Sequence, residues 1–301
     1  MRQPVNIFQL QRRCAPYVFV SPFVILFIIF GLYPLIKSLI LAFYITYGPQ
    51  SQVYAGFDNF RFLMADKDFH KAVINTSIFA FFSVFLQLPL SLGLALLLNN
   101  RLVRARNFFR LSFFSPNLVG QVFVAVLFTV IFIPQYGLLN KVLHFLVNTP
   151  LDTKWLGNPR LVMPSLILTS LWMYVGFNMI YFLAALQAVD LDLYDAAQVD
   201  GANSWQQFLH VTMPGIRHVA VFVIVLSTIG SFQLFELPFV MLGNTGGPEN
   251  AGLTIVMYLY TNGFVTGDLG YASAIGWSLA LGVLAISLLQ LRFSGTWRAR
   301  P

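Results

Sequence analysis

An all-α membrane protein with about six transmembrane helices is the fold this sequence predicts, on three observations. Hydrophobic residues make up 57% of the 301 and charged residues 10%, against roughly 45–50% and about 25% in soluble domains. With 18 basic and 11 acidic side chains, the chain cannot cover a water-soluble surface of its size. Stretches free of Asp, Glu, Lys and Arg recur at 14–36, 72–100, 111–140, 161–189, 218–235 and 269–291. Most reach the about 20 residues that cross about 30 Å of hydrocarbon. The basic residues behind the net charge of +7 lie between these stretches, where topology signals belong, and form no soluble basic face for nucleic acid.

Trimming the polar ends places the spans near 17–44, 72–98, 114–133, 162–186, 219–241 and 270–291, in a single transmembrane domain over 1–301. The first span is interrupted by Pro34 and Lys37, and a kink at Pro34 reconciles them with the apolar stretch that continues to Tyr47. It is too long for a signal-peptide core and no small-residue cleavage site follows, so it stays attached. The loops at 45–71 and 134–161 have room for short interfacial helices, and Trp155 and Trp297 stand where aromatic belts form. The basic block Arg101, Arg104, Arg106 and Arg110 contains no acid and fixes its loop inside. With the N-terminus inside, Arg2, Arg12, Arg13, Arg217, Arg292, Arg298 and Arg300 also fall on the cytoplasmic side. The outer segments then hold only Lys37, Arg61, Lys67, Lys71, Lys141, Lys154 and Arg160. Both termini are expected in the cytoplasm. The one cysteine, Cys14, excludes an internal disulfide and a cysteine-based metal cluster.

The loop between the fourth and fifth spans, 187–218, carries most of the functional signal. Asp192 is a plausible N-cap, with Asp195 three residues on in a capping-box arrangement, and a short helix to Asp200 follows. Gly201 supplies a helix C-cap. Asn203 can cap a second short helix, with Trp205, Phe208 and Leu209 on one apolar face, and this helix must yield or kink before Pro214. Four acids, Asp190, Asp192, Asp195 and Asp200, in a loop on the inner side favour a protein partner over anionic lipid headgroups, and a protruding apolar knob favours docking.

Asp195-Ala196-Ala197, three residues, Gly201, nine residues, Val211, one residue, Met213-Pro214 resembles the cytoplasmic signature of binding-protein-dependent ABC importer permeases, Glu-Ala-Ala, Gly, Ile, Leu-Pro at the same spacing. It departs at Asp195 for Glu, Val211 for Ile and Met213 for Leu, each keeping charge or hydrophobicity. Phe57-Asp58-Asn59-Phe60, Gly137-Leu138-Leu139-Asn140, Gly246-Gly247-Pro248 and Gly270-Tyr271-Ala272-Ser273-Ala274 look like the carbohydrate-uptake class, so the resemblance spans nearly the whole chain. It implies the type I importer permease fold in a bacterial cytoplasmic membrane and uptake of a sugar or related polyol or glycerophosphate-type solute. The implied partners are a second homologous permease, an ABC ATPase dimer and an extracytoplasmic solute-binding protein. Residues 195–201 become the coupling helix held by the ATPase, with Asp195, Ala196, Ala197, Asp200, Gly201, Val211, Met213 and Pro214 as coupling residues. ATP and Mg would bind the ATPase: this sequence has no Walker-type Gly-x-x-x-x-Gly-Lys-Ser/Thr pattern and needs no cofactor of its own.

A solute path needs hydrogen-bonding and aromatic groups facing a cavity within the membrane. The candidates are Gln87, Gln121, Trp172, Tyr174, Asn178, Ser231, Gln233 and Glu236; Tyr174, Asn178 and Tyr181 share one helical face, as do Ser83 and Gln87. Glu236, the one acid inside a span, lies about 27 Å of helix beyond His218, close to the outer interface, which puts its charge at the rim of an outward-facing cavity or among the headgroups. The four histidines have no zinc-ligand spacing and no serine sits in a Gly-x-Ser-x-Gly elbow, so no catalytic or metal residue is expected. An ion-coupled secondary transporter with Glu236 as relay is the alternative. It predicts inverted repeats and broken helices, neither legible in the sequence.

Overall fold

The computed structural model describes residues 7–48, 51–100 and 104–294, and only the backbone of 7–13. Of the topology and belt residues named above, Arg2, Arg101, Arg298, Arg300 and Trp297 lie outside the described residues, as do the side chains of Arg12 and Arg13. Five long apolar helices and one sharply bent helix pair give up to six candidate spans. The described chain divides into two compact units.

One unit comprises residues up to Leu63 together with Asn262–Trp277. Its first helix, α1 (Ile7–Phe27), passes through a π-helical turn at Ile28–Leu32 into α2 (Tyr33–Leu41). The irregularity expected at Pro34 thus falls one turn earlier. Pro34 itself sits at the start of α2, where its missing N–H is least felt. The following loop, expected to hold only short interfacial helices, forms a two-stranded hairpin of β1 (Tyr44–Thr46) and β2 (Gln52–Tyr54), then α3 (Asp58–Ala65). Asn59, 4% exposed, ties the segment together by donating to the carbonyls of Ala42 and Tyr44.

The larger unit is Met64–Thr261 with Ser278 onward. Its centre is a pair of long helices, α4 (Lys67–Asn99) and α8 (Pro159–Gln187). In lipid, apolar burial gives helices little reason to associate; close approach through small residues and interhelical hydrogen bonds does. The buried face of α4 meets both needs with Ala72, Thr76, Ala80, Ser83, Ser91 and Ala95. Ser91 donates to the Val175 carbonyl of α8 at 2.8 Å. Helices α5 (Arg106–Leu118), α6 (Gln121–Ile131) and α7 (Leu138–Val147) lie between them in the chain. A Cβ on Gly176 of α8 would stand 1.7 Å from the Phe113 carbonyl oxygen, so α5 crosses α8 at a point that only glycine admits.

The third span, expected as one helix over 114–133, is instead α5 and α6 bent by 97° across Val119 and Gly120. Pro116 removes a helical donor in the last turn of α5, and Val119 and Gly120 take extended ψ values of 119° and 147°. The fifth span, expected at 219–241, is α11 (Met213–Phe232), an irregular link at 233–235, and α12 (Glu236–Leu242). Helix breaks are therefore present at two places where the sequence does not reveal them. Trp155 donates its indole N–H to Asn140 at 2.7 Å; Asn140 is fully buried and in turn donates to the Thr153 carbonyl.

The buried apolar residues of this unit form two clusters. One gathers Phe79 of α4, Val124 and Phe128 of α6, Leu166 and Met173 of α8, and Leu237 of α12. The other gathers Leu88, Ala95 and Leu98 of α4, Met179, Phe182 and Leu186 of α8, and Ile216 and Val223 of α11.

Candidate functional site

A cavity of about 270 Å³ opens where the two clusters leave α4 and α8 uncovered, between Phe79 and Leu88 on one helix and Met173 and Met179 on the other. Seven of the eight solute-path candidates line it: Gln87 from α4, Gln121 from α6, Tyr174 and Asn178 from α8, and Ser231, Gln233 and Glu236 from α11 and its irregular continuation. The helix breaks place several of them. The bend before α6 makes Gln121 its first residue, and its amide donates to the Tyr174 hydroxyl at 2.5 Å. The link at 233–235 ends α11 so that Glu236 opens α12 beside the cavity, among Gln87, Tyr174 and Gln233. Its carboxylate enters no ion pair among the described residues. Asn178, 5% exposed, donates to Ser227 Oγ at 3.2 Å. Gln87 is 4% exposed and its amide has no hydrogen bond among the described residues.

Trp172 is not brought to this cavity. It lies edge-on to Phe128, ring centres 5.5 Å apart, with 44% of its surface exposed. Tyr181 leaves the expected stripe as well, packing on Phe177 and Phe222. Ser83 is fully buried with its hydroxyl unpaired and does not line the cavity. Three polar positions were missed: Ser170, Ser227 and the Gly230 backbone. The signal for the two serines is present in the sequence, since Ser170 precedes Tyr174, and Ser227 precedes Ser231, by one helical turn.

The second site is the elbow after α8. Helix α9 (Leu191–Val199) is capped by Asp190, whose carboxylate accepts from the Asp192 N–H at 3.0 Å. The cap expected at Asp192 is thus two residues earlier, because the extended backbone that a cap requires occurs at Asp190. At the other end the Ala202 N–H donates to the Ala197 carbonyl and the Gly201 N–H to the Gln198 carbonyl. This is a Schellman closure, and it requires the left-handed φ of +78° at Gly201. Helix α10 (Ser204–Gln207) opens with a reciprocal box between Asn203 and Gln206. A π-helical turn at Phe208–Thr212 then leads into α11, with Pro214 in its first turn.

The elbow exposes apolar side chains: Val199 is 89% exposed, Trp205 65% and Leu191 61%. Asp195, Ala196 and Ala197 sit on α9, and Asp200 caps its end. Val211 and Met213 follow, Val211 packing, as Tyr194 does, against the second cluster. The Tyr194 hydroxyl shares a 3.0 Å hydrogen bond with Thr212, which pins α9 to the start of α11. No group of three or more potential metal ligands occurs among the described residues.

Comparison with known proteins shows the family of the chain. Residues 87–297 match the family described as binding-protein-dependent transport system inner membrane component. The chain is 37% identical to the arabinooligosaccharides transport system permease protein AraP of Bacillus subtilis, covering 95% of this chain and 90% of that one. It is 34% identical to the lactose transport system permease protein LacF of Rhizobium radiobacter, covering 91% and 92%. Among solved structures, a chain of a bacterial ABC transporter that imports the acidic polysaccharide alginate matches with a TM-score of 0.83 at 26% identity, covering 98% of this chain and 99% of that one. The same kind of transporter, in complex with an alginate pentasaccharide-bound periplasmic protein, matches with a TM-score of 0.82 at 26% identity, covering 96% and 97%. The chain belongs to the inner-membrane components of binding-protein-dependent transport systems: it is a permease, not an enzyme.

Proposed function

We propose that this chain is one permease subunit of an ATP-driven sugar importer, paired with a second homologous permease, an ABC ATPase dimer and an extracytoplasmic solute-binding protein. The cavity carries the solute through this half of the path. Its uncharged hydrogen-bonding groups around the exposed face of Tyr174 suit hydroxyl-rich rings, and relatives that transport arabino-oligosaccharides and lactose support that class. At about 270 Å³ it is smaller than the roughly 300–1,000 Å³ of sites that enclose drug-sized ligands, as expected of one wall of a shared path.

The elbow is the mechanical input, on the cytoplasmic side together with both termini. The ATPase grips α9 and α10 through the exposed Leu191, Val199 and Trp205, while Asp195 and Asp200 supply charge-assisted contacts. ATP and Mg bind the ATPase. Its closure acts on the permease only through a difference in its affinity for the inward- and outward-facing states. The Tyr194–Thr212 bond and the packing of Val211 carry movement of the elbow into α11, which lines the cavity.

The observation that carries the reading is a polar cavity lined by α11 and an exposed apolar elbow that leads into the same helix, in a chain of this family. The test is to co-purify the complex, reconstitute it in vesicles, and screen arabino-oligosaccharides, lactose and maltose for stimulated ATP hydrolysis and uptake. Stimulation by at least one saccharide is expected. Uptake that persists without the ATPase and collapses with the ion gradient would establish the ion-coupled alternative instead.

A further inference from the structure

We infer that Glu236 gives the cavity a charge filter, so that it takes neutral or amino-bearing saccharides and rejects uronates. This rests on the sugar-path reading above and names its substrate class. The residues lining the cavity contribute amides, hydroxyls, aromatic faces and one carboxylate; none of the described ones is a lysine, arginine or histidine. Glu236 enters no ion pair among the described residues, so its charge is not cancelled by the chain itself. The opposing field is the start of α6 at Gln121, where a helix N-terminus contributes about half a positive charge, less than the full negative charge of the carboxylate.

The consequence for a solute follows from the donor and acceptor inventory. A carboxylate accepts short, charge-assisted hydrogen bonds from sugar hydroxyls and more strongly from an ammonium group. A uronate carboxylate brings only acceptors and a like charge. Two such charges about 6 Å apart at an effective dielectric of about 20 weaken binding about 100-fold, and water in the cavity reduces this toward 10-fold. The fold is shared with an importer of an acidic polysaccharide, so the architecture does not by itself exclude uronates, and a filter must come from side chains in the cavity.

The test uses the assembled complex in membranes, with Cys14→Ser to remove the native thiol and Ser227→Cys to report from the cavity. The rates of a cationic trimethylammonium-ethyl and an anionic sulfonatoethyl thiosulfonate are each divided by the rate with free mercaptoethanol. We expect a cation preference of about 10-fold or more, falling below about 3-fold in Glu236→Gln and inverting in Glu236→Lys. Arabinotriose and glucosamine should protect the thiol from the uncharged methyl reagent, and galacturonate only in Glu236→Gln. A preference near one, a preference unchanged by Glu236→Gln, or equal protection by galacturonate and arabinotriose in the Glu236 chain overturns the filter. The preference near one decides even if the variants fail to assemble. Protection by no saccharide, with the ion preference intact, overturns the sugar-path reading and the substrate class with it.

Discussion

The cavity and the elbow are opposites in how they meet their surroundings. The cavity keeps Gln87 and Ser231 almost wholly buried inside an apolar body, their side chains without a hydrogen bond among the described residues. The elbow holds Val199, Trp205 and Leu191 out on a surface carrying four aspartates. Burying unpaired polar groups costs free energy, and so does exposing large apolar ones. On the proposed function, each region is a deficit that another molecule would satisfy, a hydroxyl-rich solute in one case and a protein groove in the other. What the contrast teaches is that function here is legible as misplaced polarity.

The contrast can be broken most completely at the elbow. Deleting 195–201, or making Gly201→Asp, is expected to reduce ATP-driven uptake to background while membrane insertion, read by alkylation of single cysteines introduced into the loops of a Cys14→Ser chain, stays intact. An L side chain at φ +78° strains the Schellman closure by about 1–2 kcal/mol, and the aspartate adds charge at the docking face. Next in size is Gly176→Val. Its side chain would strike the Phe113 carbonyl, so α5 must move off α8, at about 1–3 kcal/mol or more. A clear fall in thermal stability in detergent should result, whereas Gly282→Ala, whose Cβ meets nothing within 4 Å, should leave it unchanged.

Smaller effects sharpen the division between the two regions. Val199→Ser with Trp205→Ser removes apolar surface from the elbow only. ATPase association should weaken about tenfold or more, with saccharide protection of the cavity unaltered. Tyr174→Phe does the converse. It deletes the hydroxyl that receives the Gln121 amide, worth about 1 kcal/mol, so saccharide affinity should fall about fivefold while ATPase association holds. A pair of variants that each changed both readouts equally would mean that the two regions are not separable.

Much of this was readable from the chain. Six apolar stretches, the Gly201 turn, the Asn203 cap and seven of the polar or aromatic residues that line the cavity follow from charge spacing, turn chemistry and the rarity of amides inside membrane helices. Hidden from it were features set by contacts distant in sequence. The 97° bend before Gln121 follows Pro116, yet Pro89 and Pro164 leave their helices continuous, so a proline alone does not announce it; at the break before Glu236 the Leu234 carbonyl accepts from the Thr254 hydroxyl, twenty residues on. Trp172 misled for a related reason: at helical spacing an aromatic ring reads the same whether it faces a cavity or, as here, the edge of Phe128. The hairpin at Tyr44–Thr46 and Gln52–Tyr54 was missed because three-residue strands are too short to show alternation.

The position of the cavity along α8 has a consequence for motion. The lining residues Ser170, Tyr174 and Asn178 occupy the middle of a 29-residue helix about 44 Å long, with a packed apolar cluster toward either end. A rod that rocks against its neighbour displaces its tips and leaves its midpoint nearly still. On the proposed sugar path, solute seated at that fulcrum would be offered to one side of the bilayer and then the other while its own hydrogen bonds hardly move.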